Sequence, residues 1–252
     1  SVSADGRYIA FESYASNLVP QDTNNAADVF VYDLAARKLE LISASPTGGT
    51  ANGSSSHASI SGDGRFVLFS STADNLAPDP DAKPRSLFLF DRLTGRMKPI
   101  EPGLAGFGDT LSPDGRWIGF TAEAPNSFGG RTNHFTGVFV YEIETGGLTL
   151  VSGTRDGLPA NDHSESVAFS ANGRYLAYAS WAPGLLGETS PEASQVFVLD
   201  QALFRPDAWL GRDGELLNRG KNLFSPASQT IEQVLSVRAT NVTHITIQND
   251  GT

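Results

Sequence analysis

A nine-residue pattern occurs four times along the chain and constrains its fold more than any other feature of the sequence. The pattern is Ser-x-Asp/Asn-Gly-Arg-aromatic-aliphatic-x-aromatic, and its copies lie at 3–11, 61–69, 112–120 and 170–178. A second apolar run follows each copy and ends in an acid, which lies 27 residues after the glycine in every copy, as Gly6 and Asp33 illustrate. Four copies of one supersecondary unit therefore make up most of the chain.

Each copy begins with a hairpin signal. Asp/Asn-Gly between two β-rich runs favours a tight turn of the primed type, which needs residues that tolerate positive φ. We expect the glycines at 6, 64, 115 and 173 in equivalent turns, leading into strands near 7–13, 65–71, 116–122 and 174–180. The second apolar run predicts a third strand, and three copies continue through a polar turn into a fourth run at 39–43, 97–101 and 148–152. Repeated four-stranded antiparallel units predict an all-β fold of β-propeller blades.

These motifs resemble the TolB-type, or WD-like, β-propeller repeats of bacterial periplasmic and secreted proteins. The resemblance rests on the repeated pattern and on the Asp-Val-Phe-Val-x-Asp-Leu run at 28–34, and it covers residues 1–200. It predicts four blades, at 1–43, 57–101, 107–152 and 163–200. Since the family's rings usually have six or more blades, it also implies that these four belong to a larger ring. The fold says little about activity, because propellers host many unrelated functions.

The fourth copy differs from the others after its third strand. Residues 201–206 replace the polar turn and the fourth run, so another segment must complete that sheet. Because residue 1 already lies in the first strand of the first copy, we expect a piece of a longer protein with further blades before it. Residues 201–252 resemble, more weakly, the opening strands of a bacterial Ig-like sandwich of about 100 residues. This segment is predicted to be a linker followed by part of a second β domain.

Charge and composition exclude several classes of partner and mechanism. The chain has 18 basic and 28 acidic residues and a net charge of −10, which disfavours binding to nucleic acid or to anionic membranes. It contains no cysteine, so thiolate chemistry and disulfides are excluded. The lack of cysteine also favours an exported protein, in the periplasm, at the cell surface or secreted.

Oxygen-bearing side chains occur at alternate positions in the segment 22–28. Asp22, Asn24 and Asp28 follow the spacing with which a short loop surrounds a hard cation such as calcium. The fit is partial, since Ala26 takes the fifth position and Ala27 replaces the sixth-position glycine of a calcium loop. The alternative is an Asn/Asp-rich turn that caps the following strand. The other copies lack these acids, so a calcium site would be confined to the first blade.

No catalytic constellation is visible in the sequence. The four histidines, at 57, 134, 163 and 244, do not have metal-ligand spacing, and no nucleophile elbow or oxyanion loop is present. We therefore predict no catalytic residues and no cofactor other than calcium. The candidate ligand-binding residues are a titratable cluster before the fourth blade, Asp162, His163 and Glu165, and the aromatic Trp181, which opens that blade's loop.

The leading functional hypothesis is a non-catalytic propeller module of an exported bacterial protein, working as a rigid platform for a protein partner or for self-assembly. One alternative is a propeller that supports or gates a hydrolase region outside this chain. A second alternative is polysaccharide binding at the channel mouth through Trp181. The arginines repeated at 7, 65, 116 and 174 are expected to be structural, pairing with a neighbouring blade's acid or with backbone carbonyls.

Overall fold

The chain folds as an all-β protein in the part of it that the structure describes. The computed structural model describes residues 1–20, 22–46, 48–77, 86–100, 109–123, 135–153, 159–182, 185 and 194–200, together with three short strands between 208 and 238. Every regular element within these residues is a β-strand. The strands fall into two compact units, Ser1–Ile118 and Gly119–Thr252. The predicted all-β class is confirmed.

The first unit contains two antiparallel sheets whose strands follow chain order. The first sheet consists of β1 (Tyr8–Ser13), β2 (Asp28–Asp33) and β3 (Lys38–Leu41), and Val2 adds an isolated bridge to Ile9. The second sheet consists of β4 (Ser55–Ile60), β5 (Phe66–Ser71), β6 (Ser86–Asp91) and β7 (Arg96–Ile100). Each is a simple meander, as expected of a propeller blade.

Two further four-stranded sheets follow along the chain. The third consists of β8 (Thr110–Leu111), β9 (Trp117–Glu123), β10 (Thr136–Glu142) and β11 (Leu148–Leu150), and the boundary between the two units falls within β9. The fourth consists of β12 (Ser164–Phe169), β13 (Tyr175–Ser180), β14 (Gln195–Asp200) and β17 (Val237–Arg238). A separate two-stranded sheet joins β15 (Ala208–Leu210) to β16 (Leu216–Asn218).

The fourth strand of the last blade comes from far along the chain. Val237–Arg238 pairs antiparallel with β14 through Val196↔Val237 and Gln195↔Arg238. This strand belongs to the segment 201–252, which the sequence assigns to a linker and a second β domain. The structure therefore provides the missing outer strand from that segment.

The repeated Asp/Asn-Gly turns are four-residue loops. In the first blade the Gly6 N–H donates to the Ser3 carbonyl, and the Ser3 N–H donates to the Tyr8 carbonyl. The four turn glycines have positive φ of similar size: Gly6 71°, Gly64 73°, Gly115 68° and Gly173 72°. The Asp or Asn before each glycine does not have positive φ. The equivalence of the four turns is confirmed, but the predicted primed type is wrong, since each glycine is the third residue of a four-residue loop.

The serine and the acid of the repeat hold this loop together with side-chain hydrogen bonds. In the first blade the Ser3 hydroxyl donates to Asp5 at 2.6 Å and accepts from the Tyr8 N–H, while the Asp5 carboxylate accepts from the Arg7 N–H. The same three bonds recur in the other blades, around Ser61, Ser112 and Ser170. The repeat is therefore a structural signature of the turn.

The repeated arginine pairs with the acid that ends the third strand of its own blade. Arg7 donates two hydrogen bonds to Asp33, at 3.0 and 2.7 Å, and Arg65 does the same to Asp91. Arg174 pairs with Asp200 at 2.8 Å. The expectation of a partner in a neighbouring blade is wrong for these three arginines. The register explains the difference, because Tyr8 lies directly opposite Asp33 and so places Arg7 beside that acid.

Aromatic pairs form the core between the second and third strands of each blade. The paired rings are stacked with centroids between 5.2 and 5.8 Å apart, and the pairs are Phe11–Phe30, Phe69–Phe88, Phe120–Phe139 and Tyr178–Phe197. Stacked rings at this spacing add to the burial of apolar area. The core position of each pair recurs because the repeat fixes the strand register.

The first and second blades pack closely at Gly64. A Cβ atom at this glycine would overlap the ring of Tyr8, so no side chain fits there. Arg92 of the second blade also places its guanidinium 4.3 Å from the centroid of the same ring. Tyr8 is therefore held between two elements of the neighbouring blade.

Candidate functional site

Each blade has two chemically different ends. The turn end, made of the turns between the first and second strands and between the third and fourth, carries the repeated serines, acids and arginines described above. The loop end is made of the segment between the second and third strands and of the segment before the first strand. The candidate site residues lie at or near the loop end, outside the repeat. Because they differ between blades, they are not needed to build the blade.

The proposed calcium residues lie at the loop end of the first blade, in the segment that enters β2. Asp28 is fully buried, and its carboxylate accepts from the Ser43 hydroxyl at 2.6 Å and from the Asn24 amide nitrogen at 3.0 Å. The Asn24 amide oxygen accepts from the Ala26 N–H, and its nitrogen also donates to the Ala51 carbonyl. Asn24 therefore braces the loop and turns its nitrogen, which cannot bind a cation, towards Asp28.

Asp22 is buried beside this network. The residue is 8% exposed, and neither of its carboxylate oxygens has a hydrogen-bond partner among the described residues. Burial raises the pKa of Asp28, the hydrogen bonds from Ser43 and Asn24 lower it, and the charge of Asp22 raises it further. The structure therefore brings Asp22 and Asp28 close enough for their like charges to interact.

Two residues of the titratable cluster predicted before the fourth blade, His163 and Asp162, form hydrogen bonds within the fold. The His163 ring nitrogen Nδ1 lies 3.2 Å from the Thr136 N–H and 3.0 Å from the Thr136 hydroxyl, and its ring contacts Phe135 edge-on. Asp162 accepts from the His163 N–H, while Glu165 is exposed on β12. His163 thus ties its blade to the start of β10.

Trp181 remains exposed beside this cluster, and a second aromatic residue lies at the equivalent position of the first blade. The backbone N–H of Trp181 donates to the backbone carbonyl of His163, and the Trp181 residue is 39% exposed. Tyr14 lies eight residues after its turn glycine, as Trp181 does, and is 76% exposed. Sequence reasoning missed Tyr14, although counting from the glycines would have found it.

A second missed group surrounds the first strand of the second blade. The His57 N–H donates to the Glu12 carboxylate of the first blade at 2.7 Å. His57 has φ of +58° at an irregularity in the pairing of β4 with β5, and Ser166 has φ of +59° at the same place in the fourth blade. A bulge at a first strand re-aims its side chains, and here it directs a backbone N–H to a neighbouring blade.

Asp109 lies next to this group, just before β8. One carboxylate oxygen accepts from the Ser70 hydroxyl at 2.9 Å, and the other is buried with no partner among the described residues. Burial raises the pKa of Asp109 to about 6, against smaller lowering effects of the Ser70 hydrogen bond and of His57. The sequence around Asp109 carries no signal of this, since its burial depends on β5 of another blade.

The described residues contain neither a metal-binding cluster nor a membrane-spanning helix. No group of three or more His, Asp or Glu side chains in that part of the chain could hold a metal ion. Over the same residues, no helix is long and apolar enough to cross a membrane.

Comparison with known proteins gives structural neighbours but no family. No family model matches the chain, and no curated protein matches it. Among solved structures, an oligogalacturonate lyase in complex with manganese has a TM-score of 0.50 at 13% identity, covering 81% of this chain and 50% of that one. A putative TolB from Agrobacterium tumefaciens has 0.49 at 14%, covering 79% and 60%. The β-propeller domain of the Trilobed protease from Pyrococcus furiosus has 0.49 at 13%, covering 87% and 56%.

These likenesses concern the fold alone. The chain spans no more than 60% of the length of each of the three proteins, and identities of 13 to 14% carry no information on activity. The sheets themselves are consecutive antiparallel meanders of the kind that forms propeller blades. This strand order is the architecture of β-propeller blades.

Proposed function

We propose that the chain is a non-catalytic propeller module of an exported bacterial protein and binds a protein partner at the loop ends of its blades. The observation that carries the proposal is the exposure of Tyr14 and Trp181 at equivalent positions, directly after the second strand of their blades. Large aromatic side chains are over-represented at binding surfaces because they bury much area at a small cost in conformational entropy.

The two ends of a blade differ in what their side chains do, and this difference supports the proposal. At the turn end, the repeated residues bond to one another, so they hold the blade rather than a ligand. At the loop end, the side chains differ from blade to blade, which is where a specific surface can arise without disturbing the fold.

Site-specific photocrosslinking in the native host tests the proposal. A photoreactive phenylalanine analogue would replace Tyr14 or Trp181 in turn, with Leu93 as the matched control because it is 77% exposed but lies at a turn end. We expect discrete crosslinked products from positions 14 and 181 and none from 93. Equal crosslinking at all three positions, or none at 14 and 181, would contradict a partner surface at the loop ends.

Carbohydrate binding is a second candidate, supported by the polar groups beside Trp181. The exposed Trp181 indole offers a stacking face, and its backbone N–H bonds to the carbonyl of His163, which follows Asp162 in the chain. A glycan array compares the native protein with Trp181→Ala and with Leu93→Ala. Binding that Trp181→Ala removes and Leu93→Ala retains would support this candidate, whereas binding unchanged by Trp181→Ala would eliminate it.

A further inference from the structure

The carboxylate of Asp22 is buried inside the first blade without a group that compensates it among the described residues. Both oxygens are buried and lack a hydrogen-bond partner among the described residues. A buried carboxylate without a partner is costly, and such a group in a folded protein calls for a bound ion, a water or a proton. Asp28, with which Asp22 interacts electrostatically, is also an acid and adds to this cost.

Asp28 is not required by the blade itself. Ser43 accepts a hydrogen bond from the Val29 N–H, and Ser152 accepts the equivalent bond from the Val138 N–H in the third blade. In the third blade this bond forms with Gly137 at the position of Asp28. The backbone arrangement therefore does not depend on a carboxylate, and the first blade carries Asp28 as an addition.

The two carboxylates occur together only in the first blade. The position of Asp22 is taken by Pro80, Arg131 and Thr189 in the other copies, and that of Asp28 by Ser86, Gly137 and Gln195. A pair of acids that appears together, faces inward and lacks enough donors has the character of a ligand set and not of a capping turn.

We propose that Asp22 and Asp28 bind a calcium ion at the loop end of the first blade. The donors are oxygens, and a seven-residue loop of irregular backbone suits the flexible coordination of calcium better than the strict octahedron of magnesium. Two carboxylates supply part of the six to eight oxygens that calcium requires, and carbonyl oxygens of the loop and water supply the rest.

The ion would join two blades as well as neutralise two acids. The Asn24 amide nitrogen donates to the Ala51 carbonyl, and the Ser55 N–H donates to the Ala27 carbonyl. The loop 22–28 is therefore bonded to residues at the start of the second blade. Calcium therefore stabilises the contact between the first and second blades. This inference is independent of the partner surface proposed above.

Thermal unfolding with saturating CaCl₂ and with EGTA tests the site on the native protein, on Asp22→Asn and on Asp74→Asn, an exposed acid that serves as the control. Calcium at 10 to 100 times its Kd should raise the Tm of the native protein and of Asp74→Asn by about 3 to 10 °C. Asp22→Asn should show no calcium-dependent shift. In EGTA, Asp22→Asn should melt above the native protein, because it removes an unpaired buried charge.

Titration calorimetry with CaCl₂ and then MgCl₂ supplies the second readout. We expect one calcium site with a Kd of about 10⁻⁴ to 10⁻³ M, as in extracellular modules, and its loss in Asp28→Ser, which carries the second blade's residue. An unchanged Tm in calcium, or equal heats in Asp22→Asn, would overturn the site. A Tm gain of Asp22→Asn in EGTA without any calcium effect would show only that the native side chain lacks a partner, and would also overturn it.

Discussion

Replacement of Asp109 by Asn should stabilise the protein at neutral pH and not in acid. Asn keeps the shape of the side chain and the acceptor for the Ser70 hydroxyl, and it removes the charge that burial disfavours. Because the pKa of Asp109 is raised from 3.8 to about 6, the folded state binds this proton more tightly than the unfolded state does. The group's favourable contribution is therefore complete below pH 4 and is lost as the pH rises to about 6.

The magnitude follows from the size of this shift. Two pKa units correspond to about 3 kcal/mol of linked free energy, which is the upper limit of the difference between the two variants at pH 7.5 and at pH 4. For a chain of this length, 1 kcal/mol moves the Tm by about 2 to 4 °C. The advantage of Asp109→Asn over the native protein should therefore grow by up to about 6 to 12 °C between the two pH values.

Thermal unfolding followed by circular dichroism at pH 4 and pH 7.5 measures this difference directly. Glu144→Gln serves as the control, because Glu144 is exposed in a turn and its substitution should give the same small effect at both pH values. An effect of Asp109→Asn that does not change with pH, or that turns destabilising at pH 7.5, would refute the argument from burial.

Two further substitutions test the packing and the turn end. Gly64→Ala should cost about 2 to 5 kcal/mol, because the new Cβ would overlap the Tyr8 ring and because alanine disfavours the positive φ of this position. Gly6→Ala, which has a similar φ but open space around it, should cost about 1 to 2 kcal/mol. Equal losses in chemical unfolding would contradict the blade contact. Arg65 lowers the pKa of Asp91 to about 2, so this pair contributes above pH 4 and its contribution is lost as the pH falls to about 2. Because solvent screens this partly exposed pair, Arg65→Gln should cost little stability at pH 7 and none at pH 2. A large loss at pH 7 in urea unfolding would contradict that screening.

The sequence predicted the elements that depend on neighbours along the chain. The Ser-x-Asp/Asn-Gly-Arg pattern placed the four turns, and the strands begin within one or two residues of the predicted positions. The constant interval between the turn glycine and the acid also recorded a real contact, because Arg7 and Asp33 form an ion pair across it. What the pattern did not contain was the choice of partner, which the strand register assigned to the same blade.

The sequence showed only part of the candidate site, because some of its contacts join segments that are not neighbours in the chain. Asp22, Asn24 and Asp28 were found by their spacing, but the direction of the Asn24 amide depends on the Ala51 carbonyl and the bonding of Asp28 on Ser43, both from other segments of the chain. Tyr14 was within reach of sequence analysis, since it shares its offset with Trp181.

Tertiary structure decided every feature that joins segments far apart in sequence. Three contacts show this: Asp109 is buried against Ser70, His57 bonds to Glu12, and Val237–Arg238 pairs with β14. Each joins residues that lie tens of positions apart. A local pattern encodes turns and strands because their hydrogen bonds close within a few residues, or at a constant interval that the repeat copies. Burial and charge at the loop ends arise only when different blades pack together, and the residues that carry them lie outside the repeated motif.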